Sequence, residues 1–470
     1  MKPATATAKS ARLTVATIVR NCASAASETL ACAGSIADEI VVLDTGSTDD
    51  TLAVAAKAGA VVHRRAWDDD FAAARNACLD KATGDWVLWL DAGETLAPEE
   101  ARLLREFIDV QASEKHAYLL GVVLAAAPGQ LGCEQVARLR LHPRLAGLRF
   151  AGRIRESLGA ALQAQEIQVD SLPFVIERGR LHHEAEVKAA RAQRNIRLAD
   201  LQLTEEGPKA ELHNVLGEAF QSLDDSARAA QHYRRALDLS TAGTRDQLEA
   251  YYGLLTCLDG VSADRADQLA LCMLALERFP LDAQLLVALG GYLQALGHPE
   301  LAIRSFDVGF RHGQIEPQIW HLPEIREIAA SCAAAVLIET HQDESARTLL
   351  EAAVRTLPHS QRLAGQLIEL YVNGGQREQA LAAIRLVSSA AIRERLTAAV
   401  RGVFIARQGD CNAAADLLQA AMLDGCRERF CLRGLVQCWL KLDRPLDAQA
   451  VLQAWQAFDP QFAEIGEVGG

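Results

Sequence analysis

At 470 residues the chain is longer than one hydrophobic core usually organises, which predicts two or more domains. Half of its residues are apolar and 23% are charged, a composition that excludes an intrinsically disordered chain. The formal charge of −13 excludes a general nucleic-acid binder, whose affinity rests on neutralising phosphates. It leaves room for a local basic site.

The eleven cysteines lie singly in apolar segments without a CxxC pair. That pattern predicts buried free thiols in a reducing cytoplasm. Near the start, Lys2, Lys9 and Arg12 precede the apolar run Leu13–Val19, which Arg20 and Asn21 break. The run is too short to span a bilayer. A first β-strand accounts for it better than a signal peptide, although Ala23–Ala26 mimics a small-residue cleavage site. No other segment reads as a transmembrane span.

In chain order, Leu13–Val19, Ile40–Leu43, Val61–His63, Trp86–Leu90 and Tyr118–Leu124 read as short strands. Alanine-rich helical stretches fall near 26–33, 49–58, 71–82 and 98–110. This alternation predicts a mostly parallel, Rossmann-like α/β sheet with crossover helices. Residues 130–185 read as irregular. Beyond about 186 the strand signals vanish and the sequence repeats. Ala346, Ala380, Ala414 and Ala448 recur at a spacing of 34, the tetratricopeptide period. Leu350, Ile384, Leu418 and Leu452 follow four residues later, Gly375 and Gly409 precede by five, and Pro358 and Pro460 end their units. Two further copies carry Leu216-Gly217, Ala229 and Tyr233, and Leu289-Gly290, Ala302 and Phe306. Small residues let paired helices approach and large ones fill the neighbouring groove. The expected division is an α/β domain over 11–200 and an all-α solenoid of about seven helix pairs over 205–465.

Open α/β sheets bind ligands at the carboxyl ends of their strands, which singles out Asp44 and Asp91. In IVVLDTGSTDDT (Ile40–Thr51), Asp44 reads either as a ligand carboxylate or as a turn-former, with Ser47, Thr48 and Asp49 capping the next helix. Two further blocks follow, WDDDFAAARN (Trp67–Asn76) and DWVLWLDAGETL (Asp85–Leu96). Trp86 and Trp89 read as core, as does Trp67, unless it stacks on a base.

In this order and spacing the three blocks resemble the family-2 glycosyltransferases of the GT-A fold. More narrowly, they resemble the bacterial branch that joins such a domain to tetratricopeptide repeats, which includes peptide S-glycosyltransferases. The resemblance implies a nucleotide-sugar donor, often UDP-linked, a divalent cation (Mn2+ or Mg2+) and inversion at the anomeric carbon. It implies that Asp44, Arg75 and Asn76 line the nucleotide pocket, that Asp69 or Asp70 supports the nucleotide, and that Asp91 and Glu94 serve ribose or metal. A hard cation needs oxygen ligands, and a diphosphate leaving group needs positive charge.

The departures from the family pattern are at polar positions. The family's Asp-Ala-Asp-Glu is Asp91-Ala92-Gly93-Glu94 here, so a carboxylate expected on the metal is missing. Cys22 and Ala23 replace two acids after Asn21. Arg153-Ile154-Arg155-Glu156 keeps the family's glutamate and swaps its histidine for arginine, and a His-x-Gly-Tyr element becomes Glu177-Arg178-Gly179-Arg180. Glu156 is the expected base for the acceptor, or else a salt-bridge partner. His182 and His183 read as substitutes for the lost histidines or as surface residues.

Six arginines (138, 140, 144, 149, 153 and 155) fall in 18 residues that contain no acid. That field would clamp a diphosphate or a phosphorylated acceptor, Arg153 and Arg155 foremost, or else pair with neighbouring acids. Three functions stay open: a glycosyltransferase whose repeats recruit a protein, peptide or glycan-precursor acceptor, a degenerate transferase fold serving as a scaffold, and a nucleotidyltransferase. The absence of a glycine-rich phosphate loop weighs against the last. The repeats would also suit a homodimer or a protein partner.

Overall fold

The computed structural model describes residues 11–124, 133–179, 184–260 and 264–456. Arg180, His182, His183 and Pro460 lie outside them. Eight strands among the described residues form one mixed sheet in the order β3-β2-β1-β4-β7-β6-β8-β5. They are β1 Leu13–Val19, β2 Glu39–Asp44, β3 Val61–Arg64, β4 Trp86–Trp89, β5 Glu94–Leu96, β6 His116–Leu124, β7 Glu134–Pro143 and β8 Gln168–Arg178. The first four run parallel. Then β7 runs antiparallel to both β4 and β6, and β5 antiparallel to β8.

Two long strands, β7 and β8, thus lie in the stretch that reads as irregular in the sequence. The reason is local. Strand β7 alternates arginine with leucine at Arg138-Leu139-Arg140-Leu141, so its period of two is intact while its hydrophobicity is diluted. Strand β8 contains Pro173, and its pairing with β6 shifts register between Leu119 and Gly121. A proline survives in a sheet at such an irregularity because no ladder donor is required there.

The sheet is covered on both faces, which is why the inner parallel strands β1, β2 and β4 are almost wholly buried. Leu30 of α1 (Ala23–Ala33) and Leu104 and Ile108 of α4 (Pro98–Val110) pack with Leu13, Val15, Leu88 and Leu120. On the other face Ala74 and Cys78 of α3 (Phe71–Leu79) pack with Ala16, Val41, Val87 and Trp89. Helix α2 spans Thr51–Lys57 and the short α5 spans Gly159–Ala164. Registers of Val19 with Asp44, Asp44 with Arg64, and Ala16 with Trp89 bring the carboxyl ends of β1 to β4 to one edge. That edge carries the site.

After β8 the described chain is helical apart from short connections and the segment Gln314–Glu324. Helix α6 (Ala185–Glu206) is continuous and leads into fourteen helices, which form seven consecutive pairs among the described residues. The pairs are α7 and α8 (Ala210–Ser222, Ser226–Leu239), α9 and α10 (Arg245–Gly260, Arg265–Arg278), and α11 and α12 (Ala283–Ala295, Pro299–His312). After these come α13 and α14 (Ile325–Glu339, Asp343–Thr356), α15 and α16 (Gln361–Asn373, Arg377–Ile384), α17 and α18 (Ala390–Arg407, Cys411–Leu423), and α19 and α20 (Arg429–Lys441, Pro445–Gln456). Ala302, Ala346, Ala380, Ala414 and Ala448 are all buried, as helix-crossing positions must be.

The chain forms two compact units, Met1–Leu285 with Gln314–Glu324, and Leu286–Gly313 with Ile325–Gly470. In the first, Ile154, Trp67 and Phe71 share an apolar cluster with Leu198 of α6, Leu216 and Phe220 of α7 and Tyr233 of α8. The sheet and the first repeats are therefore one packed body. The segment Gln314–Glu324 also pairs with β7, through the bridge between Gln135 and His321.

Candidate active site

A cleft of ≈ 380 Å³ opens at the tips of β1, β2 and β4 and is closed on one side by α6. Its lining includes Arg20, Thr45, Trp67, Phe71, Ala92, Arg194 and Arg197. Trp67 and Phe71 meet edge to face at 4.9 Å, giving the cleft an aromatic wall.

Beside it lies a network of carboxylates and guanidiniums. Asp91 follows β4, and Glu94, fully buried, opens β5. Arg140 of β7 reaches Asp91 Oδ2 at 2.9 Å and Glu94 Oε1 at 2.6 Å. Arg178, at the end of β8, reaches Glu94 Oε1 at 2.7 Å and Asp91 at 3.7 Å. Arg75 of α3 donates to Asp91 Oδ1 at 3.2 Å and to Glu156 Oε1 at 2.5 Å. Its guanidinium lies 4.8 Å from the Trp89 ring centroid. Burial works against ionisation of Asp91, but Arg140, Arg75 and Arg178 overcome it and hold its carboxyl far below the usual range. The carboxylate side chain still keeps 40% of its surface open, so solvent screens part of that effect.

Arg75, Asp91, Glu94 and Glu156, which the sequence assigns to three different roles, are thus brought together in one network. The other candidate residues have different partners. Asp44 is buried and accepts from the backbone N–H groups of Gly46 at 3.2 Å and Ser47 at 3.1 Å. It builds its own turn, with Gly46 at φ +108°, where a side chain would be strained. Asp70 caps α3 by accepting from Ala73 N–H at 2.8 Å. Asp69 accepts from Trp67 Nε1 at 2.6 Å and pairs with Arg197. Asn76 holds Phe150 through its backbone N–H and C=O, both at 2.9 Å. Arg153 pairs with Glu205 of α6, and Arg155 inserts between Glu249 of α9 and Glu218 of α7.

Three cleft arginines escaped the sequence reading as ligand groups: Arg20, Arg194 and Arg197. The signal for two of them was present. Arg191, Arg194 and Arg197 recur every third residue along α6, which puts them on one helical face.

The residues do not form a cage for a resident divalent cation. Both carboxylates already accept from guanidiniums, and Gly93 between them has no side-chain oxygen, while its carbonyl accepts from Gly179 N–H at 2.9 Å. Among the described residues no cluster of three or more His, Cys, Asp or Glu is arranged to hold a metal.

Residues 14–115 match the family model described as Glycosyl transferase family 2. The chain carries a glycosyl transferase family 2 domain at its N-terminus. The chain is also similar to a TPR repeat-containing protein of Synechococcus elongatus, 46% identical over 99 residues, covering 21% of this chain and 25% of that protein. It is similar to the SPbeta prophage-derived glycosyltransferase SunS of Bacillus subtilis, 26% identical over 235 residues, 44% of this chain and 51% of that one. The chain spans about a quarter to a half of the length of these relatives. Among solved structures, the TPR protein YrrB matches at a TM-score of 0.30 and 19% identity, over 42% of this chain and 95% of its own.

The matched part of the glycosyl transferase family 2 domain contains Asp44, Arg75, Asp91 and Glu94. It stops before β7. Arg140, Glu156, Arg178 and Arg194 thus come from parts of the chain beyond the family match, yet they complete the arrangement that its strand tips begin. No helix among the described residues is long and apolar enough to cross a membrane.

Proposed function

We propose that the protein is a glycosyltransferase that moves a sugar, with inversion, from a nucleotide-sugar donor (UDP-linked by resemblance) to an acceptor recruited by the repeats. One observation carries this reading: an aromatic-walled, arginine-lined cleft adjoins the Asp91, Glu94 and Glu156 network at the strand tips of a transferase-family domain. Glu156 is the base. Arg75 takes its Oε1 and fixes the carboxylate, leaving Oε2 to accept the proton of the acceptor's nucleophile. That nucleophile attacks the anomeric carbon from the face opposite the diphosphate. The bond from anomeric carbon to phosphate oxygen breaks, and the nucleoside diphosphate leaves with the electron pair. Fixed positive charge beside the leaving group lowers the barrier because it need not reorganise. Asp91, partly open, serves the donor's ribose, and Asp44 shapes the loop behind it.

We assign catalysis to residues 11–200 and acceptor recognition to 205–465, the acceptor being a protein, a peptide or a glycan precursor. Nucleotide-sugar use together with eleven unpaired thiols suits a cytoplasmic protein. Hydrolysis and transfer measured against a panel of nucleotide sugars, with and without divalent cations, test the reading. Turnover of at least one donor, lowered about 100-fold or more in Glu156→Gln, is the expected result. A second reading, a scaffold that has lost turnover, is favoured by the saturation of Asp91 and Glu94 with arginines. It predicts that no nucleotide sugar is consumed.

A further inference from the structure

We propose that Arg20, Arg194 and Arg197 form a metal-free subsite for the diphosphate of a nucleotide, so that guanidiniums replace a divalent cation in this chain. The inference rests on the transferase reading for the identity of the nucleotide's sugar, but not for the anion site itself.

The cleft at the strand tips receives Arg20 from the end of β1 and Arg194 and Arg197 from α6, and no acid is part of its lining. The chain as a whole is strongly acidic, so three arginines lining one acid-free cleft are not its average surface. Among the described residues, neither Arg20 nor Arg194 has an ion-pair partner. Arg194 donates Nε and NH2 to the amide oxygen of its neighbour Asn195 at 3.2 and 2.9 Å, and its guanidinium stacks over Phe71 at 4.9 Å. Arg197 is paired with Asp69 and brings a fixed charge to the same wall.

The electrostatics agree with the geometry. Burial, then the neighbouring Arg191, pushes the Arg194 guanidinium below its ordinary value, and Glu156 and Asp91 only partly compensate. A cation held in that condition gains from an incoming anion. Planar guanidiniums meet phosphate oxygens two at a time, which an ammonium cannot do. A cleft of ≈ 380 Å³ falls in the range of small-ligand sites, and the ring edges of Trp67 and Phe71 offer the base an apolar surface.

The same residues explain why a metal is not needed. The carboxylates that would ligate one are committed to Arg75, Arg140 and Arg178. Positive charge is thus supplied by side chains, both in the cleft and beneath it.

Binding of inorganic pyrophosphate and of UDP to the full chain, measured by calorimetry in EDTA and in Mn2+, tests the proposal. Affinity unchanged within about threefold by EDTA, weakened by salt, and lowered tenfold or more in Arg194→Gln and Arg20→Gln is the expected result. Arg20 is exposed, so its variant tests the site without disturbing the α6 packing, and Arg347→Gln in α14 is the control. Binding that disappears in EDTA and returns with Mn2+ overturns the metal-free subsite while leaving a transferase intact. Binding indifferent to both arginine variants overturns the site as well. Pyrophosphate and UDP bound as expected, with no sugar donor consumed, leaves the subsite standing and removes the transferase.

Discussion

The repeats of the first unit and those of the second share one packing rule and differ in where their charges go. In the first, the Tyr233 ring is wedged between Gly217 and Gly253, where an added Cβ would come within 2.6 and 2.2 Å of it. In the second, Phe306 leaves 2.4 Å for a Cβ at Gly290, and Leu418 leaves 2.7 Å at Gly402. The charges diverge. Glu218 and Glu249 of α7 and α9 reach out to Arg155, the residue before Glu156. In the second unit, Glu428 is half-buried, with Glu369 as its carboxylate neighbour and Arg395 as a counter-charge. The same helical framework therefore either braces the loop that carries Arg155 and Glu156 or keeps its acids for itself. What a repeat does is decided by a few polar positions laid over a constant apolar contact.

The largest test of that contrast is Glu249→Ala. Arg155 sits at φ +50°, and burial of its guanidinium is offset first by Glu249. Removing one partner of such a pair strands the other charge, at a cost of about 2–4 kcal/mol for a pair that is still about one-fifth exposed. Chemical denaturation should register that loss. If the repeats do brace the loop, Glu249→Gln should recover stability before it recovers activity. Equal recovery of both would show that α9 merely supports the fold.

Gly290→Ala probes the shared rule inside the second unit. A methyl group at 2.4 Å from the Phe306 ring edge forces the helices apart, at about 2–3 kcal/mol. A melting temperature within a degree of the parent would mean that Phe306 relaxes freely.

A smaller effect comes from Glu428. Burial, then repulsion from Glu369, pushes its carboxyl up to about 7 against the opposing pull of Arg395. A carboxyl raised in the folded state holds its proton longer than in the unfolded chain. Its contribution to stability is therefore greatest at the acid end of the window and falls as pH rises from about 4.5 to about 7. The full shift corresponds to about 3 kcal/mol, which solvent screening of the part-exposed side chain reduces to about 2 kcal/mol. Above that window the curve is flat. Glu428→Gln mimics the protonated form and should flatten the fall. A slope that persists in the variant assigns it to other groups.

The architecture was legible in the sequence because it is periodic. Strand runs bounded by helices and alanines at a fixed spacing both report burial directly. The parallel half of the sheet follows from them, and so do the strand-tip acids. Strands β7 and β8 were hidden by arginine alternation and by Pro173, and the site was less legible still. Arg75, Asp91, Glu94 and Glu156 are singled out by the resemblance, in separate roles, but not as one network. The turn role of Asp44 is one of the two that the sequence offers, whereas the helix cap by Asp70 and the backbone clamp by Asn76 depend on distances between neighbouring groups, which residue type does not encode. The α6 arginines were missed because a helix after the last strand looked like the start of the repeats rather than the wall of a cleft.

The smallest expected effect, and the one that bears most directly on the metal question, is that of Gly93→Asp. It restores the carboxylate that the family pattern carries. Gly93 sits at φ +88°, and its N–H donates to Thr29 Oγ1 at 2.9 Å, so the turn is fixed rather than adaptable. An aspartate there tolerates positive φ better than most residues, and the strain amounts to about 1 kcal/mol. The new acid would enter a network in which Arg75, Arg140 and Arg178 are already committed to Asp91, Glu94 and Glu156. The expected outcome is a slightly lower melting temperature and no Mn2+-dependent rise beyond that of the parent. A clear Mn2+-dependent rise would show that the guanidiniums release their carboxylates to a cation, and that the missing acid alone had kept the metal out.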